Sequence, residues 1–219
     1  MNKWNNLPKE ENWDTFWKKN FDSRFTKKSW SKIRISKLLD GIVKEGMEVL
    51  DAGSGSGFFS NYFISKGCNV YALDYSEDAL KIARSLTDNK AAAYLKENLL
   101  DVNFGERYKN KFDLIFTDGL FEHFKVIDQK IIMDNFKKAK KEDGIIATFV
   151  PNKFSWWQII RPIFMSGIKE KPFDLGSLEE LHLGLDIFKK GGINVLPIFF
   201  SPDGILGLKL GMIIYIFAQ

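Results

Sequence analysis

The chain has 219 residues, with 32 Lys and Arg against 28 Asp and Glu for a formal net charge of +4, and 45% of its residues are hydrophobic. This length suits one α/β domain with short additions, and a charge so mild, carried by basic residues spread along the chain, makes no case for nucleic acid. The single Cys68 excludes an intramolecular disulfide and reads as a small core residue of a protein kept in a reducing compartment.

No apolar run approaches the length of a membrane span, and the polar N-terminus shows no secretory signal, so a cytoplasmic protein is expected. Residues 1–30 carry Trp4, Trp13, Phe16, Trp17, Phe21, Phe25 and Trp30. Trp13, Phe16, Trp17 and Phe21 stand at helical spacing and predict a short amphipathic helix over about 9–20, whose aromatic face would pack on the main domain. A second helix is expected from about 29 to 39, stopped by Gly41, with Lys27, Lys28, Lys32 and Lys37 on a solvated face.

Residues 49–60 read VLDAGSGSGFFS. An apolar strand ends in Asp51, breaks into a turn with Gly53, Gly55 and Gly57 at every second position, and opens a helix. Glycines there permit positive φ and let a nucleotide-like ligand approach main-chain N–H groups at a helix start. The dinucleotide fingerprint GxGxxG would need its third glycine at Phe58, so the spacing speaks against it.

Strands and helices then alternate. Strands are expected over 47–51, 69–74, 91–96, 112–117 and 145–150. Helices are expected over 58–66, ended by Gly67, over 76–86 with Ser76 as cap, and over 127–140. Such an order gives a parallel sheet with helices on both faces, and ligands bind at the carboxyl ends of its strands. Asp74 closes the second strand, where it would accept two hydrogen bonds from a ribose diol or cap the following helix; Tyr75 would lie against a base. After the fourth strand comes TDGLFEHF, in which His123, one of two histidines, is the candidate base near pH 7 unless the Glu122-His123 pair merely fixes the loop.

The apolar segment 154–168 is expected as a helix broken at Arg161-Pro162. A capped helix over 177–190 with a surface His182, a stop at Gly191-Gly192, and strands over 193–200 and 208–217 complete the pattern.

DAGSGSG resembles motif I, (D/E)xGxGxG, of the class I S-adenosylmethionine-dependent methyltransferases. With Asp74, the LFEH segment, the KEDG turn and the Pro151-Asn152 ending, residues 45–152 resemble that family in the right order. The resemblance implies a doubly wound, seven-stranded, mostly parallel sheet with an antiparallel last strand. It also implies an N-terminal helical extension or lid over 1–44, a methyltransferase domain over 45–219 and an acceptor-pocket insertion over 152–176. S-adenosylmethionine would be the cofactor and S-adenosylhomocysteine the product. Asp51, Gly53, Ser54, Gly55 and Gly57 would hold the amino-acid end, Asp74 and Tyr75 the nucleoside. Asn98, where the family often carries an acid, and Leu99 would meet the adenine, with Asp101 as another partner or a solvated loop residue. Thr117, Asp118 and Gly119 would line the methyl-donor channel, with Glu122 and His123 close by.

No metal is expected, because relatives that build a site around a comparable segment carry an additional acid where this chain has Gly119. Trp156, Trp157, Phe164 and Met165 suggest a small apolar or aromatic acceptor or contact with a membrane surface, with ordinary core packing an equal reading. The alternatives in other classes are a non-catalytic cofactor-binding or partner subunit and a nicotinamide-dependent oxidoreductase.

Overall fold

The computed structural model of the protein describes Thr15, Trp17 and residues 26–164, 170–196, 198 and 200–219. Thr15 and Trp17 are helical; the rest of the helix expected over 9–20, with Trp4, Trp13, Phe16, Phe21 and Phe25, lies outside the described residues, as does Met165.

A seven-stranded sheet in the order β3-β2-β1-β4-β5-β7-β6 forms the centre. Its strands are β1 (Glu48–Ala52), β2 (Asn69–Asp74), β3 (Ala93–Lys96), β4 (Phe112–Asp118), β5 (Lys140–Pro151), β6 (Ile187–Ile193) and β7 (Ile213–Ala218). Pairing is parallel from β3 across to β5, and β7 inserts antiparallel between β5 and β6. The expected doubly wound, mostly parallel sheet is therefore the observed one.

Helices α1 (Trp30–Leu39), α2 (Phe58–Ser65), α3 (Glu77–Leu86), α4 (Phe104–Arg107), α5 (Val126–Ala139), α6 (Trp157–Phe164), α7 (Leu175–Leu181) and α8 (Asp203–Leu210) connect the strands, with a 3-10 turn at Phe121–His123. Side chains alternate across the sheet with period two. Val49, Leu114, Phe116, Ala147, Phe149, Tyr215 and Phe217 face the cluster that contains Ile35 and Leu39 of α1 and Phe59 and Phe63 of α2. Leu50, Ile115, Ile146, Ile214 and Ile216 face Phe121, Met133 and Phe136 on the other side. Cys68 is buried in the first of these clusters, as its neighbours in sequence suggested.

Local chemistry sets the helix ends. Ser29 and Ser76 cap α1 and α3 by accepting the N–H groups of Lys32 and Ala79. Glu77 and Asp78 then sit in the first turn of α3 and Arg84 in its last, which complements the helix dipole. Helix α1 ends on Asp40, one residue before the glycine expected to stop it.

The C-terminal third departs from expectation. The helix expected to reach residue 190 ends at Leu181, and Gly191-Gly192 lies inside β6 rather than stopping a helix. A Cβ on Gly191 would meet the Tyr215 hydroxyl at 2.4 Å, and one on Gly192 the Gly207 carbonyl oxygen at 2.0 Å. The pair is there for close packing, which local sequence does not reveal. The strand expected over 208–217 divides into the end of α8 and β7, and KEDG lies within β5 beside a register shift rather than in a free turn. Helix α6 includes Arg161-Pro162, expected as a break; the proline removes one N–H from the helix without ending it there. No helix among the described residues is long and apolar enough to cross a membrane.

Candidate active site

The glycine turn joins β1 to α2 with Gly53, Gly55 and Gly57 at φ 76°, 51° and 76°. All three are left-handed, which is why glycine stands there. The N–H groups of Gly53 and Ser54 donate to the Leu73 carbonyl at 2.9 and 2.8 Å, and that of Gly57 donates to the Ser54 carbonyl at 2.8 Å. Gly55 donates to Asp74 Oδ2 at 2.9 Å. These N–H groups, expected to face a ligand, are spent on the turn itself, so the glycines contribute conformation and space rather than an anion cradle.

Three carboxylates gather at the carboxyl ends of β1, β2 and β4. Asp51 is 3% exposed and accepts from the Ser60 hydroxyl at 2.6 Å. Burial raises its carboxyl to about 7, with Asp118 and Asp74 adding repulsion and the Ser60 hydrogen bonds opposing. Burial likewise raises Asp118 to about 6, against the attraction of Lys32. Asp74 sends one oxygen to Gly55 and the other to the Ser76 N–H at 2.9 Å, so it braces both the turn and the start of α3. Ser54 Oγ and Thr117 Oγ1 are buried without a hydrogen-bond partner in the structure. Gly119 has φ 76° and donates to the Phe149 carbonyl at 3.0 Å.

Two side chains close on the turn from the N-terminal region. A Cβ on Gly55 would lie 2.8 Å from the Trp17 ring, which packs with Ala79 and Ile82 of α3. Lys32, read in sequence as part of a solvated face, instead places its ammonium 4.2 Å from the centre of the Phe58 ring. Burial lowers its pKa to about 8, with Asp118 acting the other way. The other side of α1 is anchored by Arg34, which reaches Asn194, the Ile198 carbonyl at 2.5 Å and Asp203 at 3.0 Å.

Of the remaining expected residues, Tyr75 is exposed beside Asp74, and Leu99 is buried. Asn98 is exposed and its amide oxygen accepts the Leu100 N–H at 3.0 Å, closing a local turn. Asp101 pairs with Arg107 and takes the Asn103 N–H at 3.0 Å. His123 follows Glu122 on the 3-10 turn, with its Nε2 4.0 Å from Glu122 Oε1.

His182 corrects an expectation: it is fully buried, not on the surface. Its Nδ1 donates to the Leu178 carbonyl at 2.8 Å and its Nε2 lies 3.0 Å from the Thr148 hydroxyl, while burial favours the neutral imidazole. Trp156 donates to the Val195 carbonyl at 2.7 Å, which gives its indole a structural tie. The ends of the segment 151–173 are tied together by hydrogen bonds from the Lys153 N–H to the Phe173 carbonyl and from the Phe173 N–H to the Pro151 carbonyl.

Sequence reasoning missed Ser60, Lys32 and Leu120, whose Cδ1 would lie 3.0 Å from a Cβ on Gly53. Ser60 carries a weak signal, since it lies in the first turn of the helix that follows Asp51. The other two carry none.

Comparison with known proteins places this geometry. A family model described as "Methyltransferase domain" matches residues 43–175. A malonyl-[acyl-carrier protein] O-methyltransferase of Hamiltonella defensa is 34% identical over 98 residues, covering 45% of this chain and 35% of that protein. A ribosomal protein L11 methyltransferase of Dictyoglomus turgidum is 28% identical over 155 residues, covering 65% of this chain and 44% of that protein. The chain thus spans less than half the length of these curated relatives. Among solved structures, the N-methyltransferase NodS of Bradyrhizobium japonicum in complex with S-adenosylhomocysteine superimposes with a TM-score of 0.67. It covers 94% of this chain and 97% of that one at 12% identity, which speaks for the fold.

Proposed function

On the premise that this chain belongs to the class I S-adenosylmethionine-dependent methyltransferases, we propose that it transfers a methyl group from S-adenosylmethionine to a small acceptor with an apolar or aromatic body. The observation that carries this reading is the convergence of Asp51, Asp74 and Asp118, two of them desolvated until their carboxyls resist ionisation. A ligand with a sulfonium and an ammonium relieves that repulsion, whereas the pyrophosphate of a dinucleotide adds to it. The cofactor fits this chain on other grounds too. The buried oxygens of Ser54 and Thr117 await a polar partner, and the left-handed glycines leave room where side chains would stand.

The residues divide into three tasks. Asp51, held by Ser60, organises the cofactor's ammonium, directly or through water, and Asp74 takes the ribose hydroxyls while bracing the turn. Asn98 and Leu99 border the adenine, and Thr117, Asp118 and Gly119 lie along the path of the methyl group. Lys32 supplies the positive charge for the cofactor's carboxylate, and Trp17 closes over the turn as the lid of the N-terminal region.

S-adenosylmethionine supplies a methyl group already activated on a sulfonium, so transfer is an in-line displacement that asks for alignment, a dry pocket and removal of the acceptor's proton. Burial of Asp51, with Trp17 packed against Gly55 of the turn, serves the second of these needs. His123, one turn beyond the end of β4, serves the acceptor side. The curated relatives act on different acceptors by name, so the acceptor itself rests on this chain's own aromatic segment, with Trp157 set against Trp156 at 6.2 Å.

The test is transfer of radiolabelled methyl from S-adenosylmethionine into a metabolite extract, with the product identified by the mass gained. Label recovered in a small apolar or aromatic product supports the reading. Cofactor binding with no label transferred to any small molecule, protein or RNA would favour a non-catalytic binding subunit.

A further inference from the structure

We propose that Glu122, His123 and Glu170 form a site for a divalent first-row transition-metal cation beside the carboxyl end of β4. One ligand atom from each of the three lies within 4.8 Å of the others. Glu122 is 3% exposed, and its partners are partly buried, so the site is sheltered yet reachable. The third donor comes from a stretch of chain nearly fifty residues away, so the Glu122-His123 pair alone does not announce the site.

The arrangement is held from several sides. The Lys171 N–H donates to the Glu122 carbonyl at 2.8 Å, which sets the chain carrying Glu170 against the 3-10 turn. The Gln129 side chain donates to the Phe121 and Phe124 carbonyls at 2.9 and 3.0 Å and so fixes the turn from below. Gly119 has a further consequence here. A Cβ on it would stand 3.2 Å from Glu122 Oε1, so the glycine leaves room for the Glu122 carboxylate at the strand end. Glu170 supplies the second carboxylate of the site.

The donor set selects the ion. With metal–oxygen and metal–nitrogen distances of about 2.1 Å, neighbouring ligand atoms stand about 3.0–3.5 Å apart, so the three donors, within 4.8 Å of one another, draw together by up to about 1.5 Å on binding an ion. An imidazole beside two carboxylates suits Mn²⁺, Fe²⁺ or Zn²⁺ better than Mg²⁺ or Ca²⁺, which prefer oxygen throughout. Three protein ligands leave positions open, so the cation would be able to meet another molecule at the end of β4. In this site His123 is a ligand rather than a proton acceptor.

The site stands apart from the cofactor reading, because metal binding is measured with neither cofactor nor acceptor present. The full chain, stripped with a chelator and dialysed, is titrated with Mn²⁺ while free Mn²⁺ is followed by electron paramagnetic resonance. One bound Mn²⁺ per chain is expected, displaced by Zn²⁺ and little affected by equimolar Mg²⁺. Glu170→Gln and His123→Gln should each weaken binding by at least about tenfold, whereas Glu180→Gln, at an exposed position nearby, should leave it unchanged. Glu170 lies outside the hydrophobic clusters, so its variant carries the test even if substitution of buried Glu122 impairs folding. Absence of Mn²⁺ binding by the wild-type chain, or binding that Glu170→Gln and His123→Gln leave intact, overturns the proposal.

Discussion

Asp74 Oδ2 accepts the main-chain N–H of Gly55 at 2.9 Å, so the acid that ends β2 holds the middle of the turn that follows β1. One carboxylate thereby ties together the two strand ends on which the cofactor reading rests. Asp74→Asn keeps an acceptor for Gly55 but loses the charge-assisted bonds to a ribose. A loss of about 1.5–3 kcal/mol in affinity for S-adenosylhomocysteine is expected, measured by calorimetry, with the thermal midpoint of the ligand-free protein little changed.

The raised carboxyls make binding pH-dependent. In the ligand-free protein Asp118 ionises near 6 and Asp51 near 7. A cationic ligand favours their charged forms, so affinity for S-adenosylmethionine should climb as pH rises through this range, with protons released on binding at its lower end. Calorimetry at one pH in buffers of different ionisation enthalpy counts these protons, and Asp51→Asn should release fewer. For folding the sign is opposite. Because the folded carboxyl of Asp51 lies above its unfolded value of 3.8, its contribution to stability falls as pH rises from there through about 7.

His182 gives a second pH effect with its own window. Burial holds its folded pKa near 4 against an ordinary 6.5. The unfolded chain then binds the extra proton between those values, so stability is lost as pH falls from about 6.5 towards 4, by up to about 3 kcal/mol. Urea unfolding at pH 7 and pH 4.5 should show a smaller difference in His182→Gln than in the wild-type chain.

Close approach of two backbones makes Gly192 intolerant. A methyl group there would stand 2.0 Å from the Gly207 carbonyl oxygen, so Gly192→Ala should cost about 3 kcal/mol or more, or prevent soluble expression. Gly41→Ala, with nothing within 4 Å of the added carbon, should fall within about 1 kcal/mol of the wild-type chain. Thermal unfolding of the two variants compares them directly.

What could be read in the sequence follows from how local each cause is. The run from β1 to α3 was legible because a left-handed glycine turn and the Ser76 cap are set by neighbouring residues. The tail was not. ILGLKLGMIIYIF is apolar enough for either a helix or a strand, and Gly191-Gly192 resembles a helix stop until Tyr215 and Gly207 are seen to need the space. In the site, Asp51 and Asp74 were legible by position. Lys32 and Glu170 were not, since each meets its neighbours, Phe58 for the one and the Glu122-His123 pair for the other, only through the fold.

The most direct measurement is isothermal calorimetry of the intact protein with S-adenosylhomocysteine. One site per chain is expected, with affinity reduced at least about tenfold in Asp51→Ala and in Asp74→Ala. No binding by the wild-type protein, or binding that both substitutions leave unchanged, would contradict the assignment of the carboxylates at the ends of β1 and β2 to this cofactor.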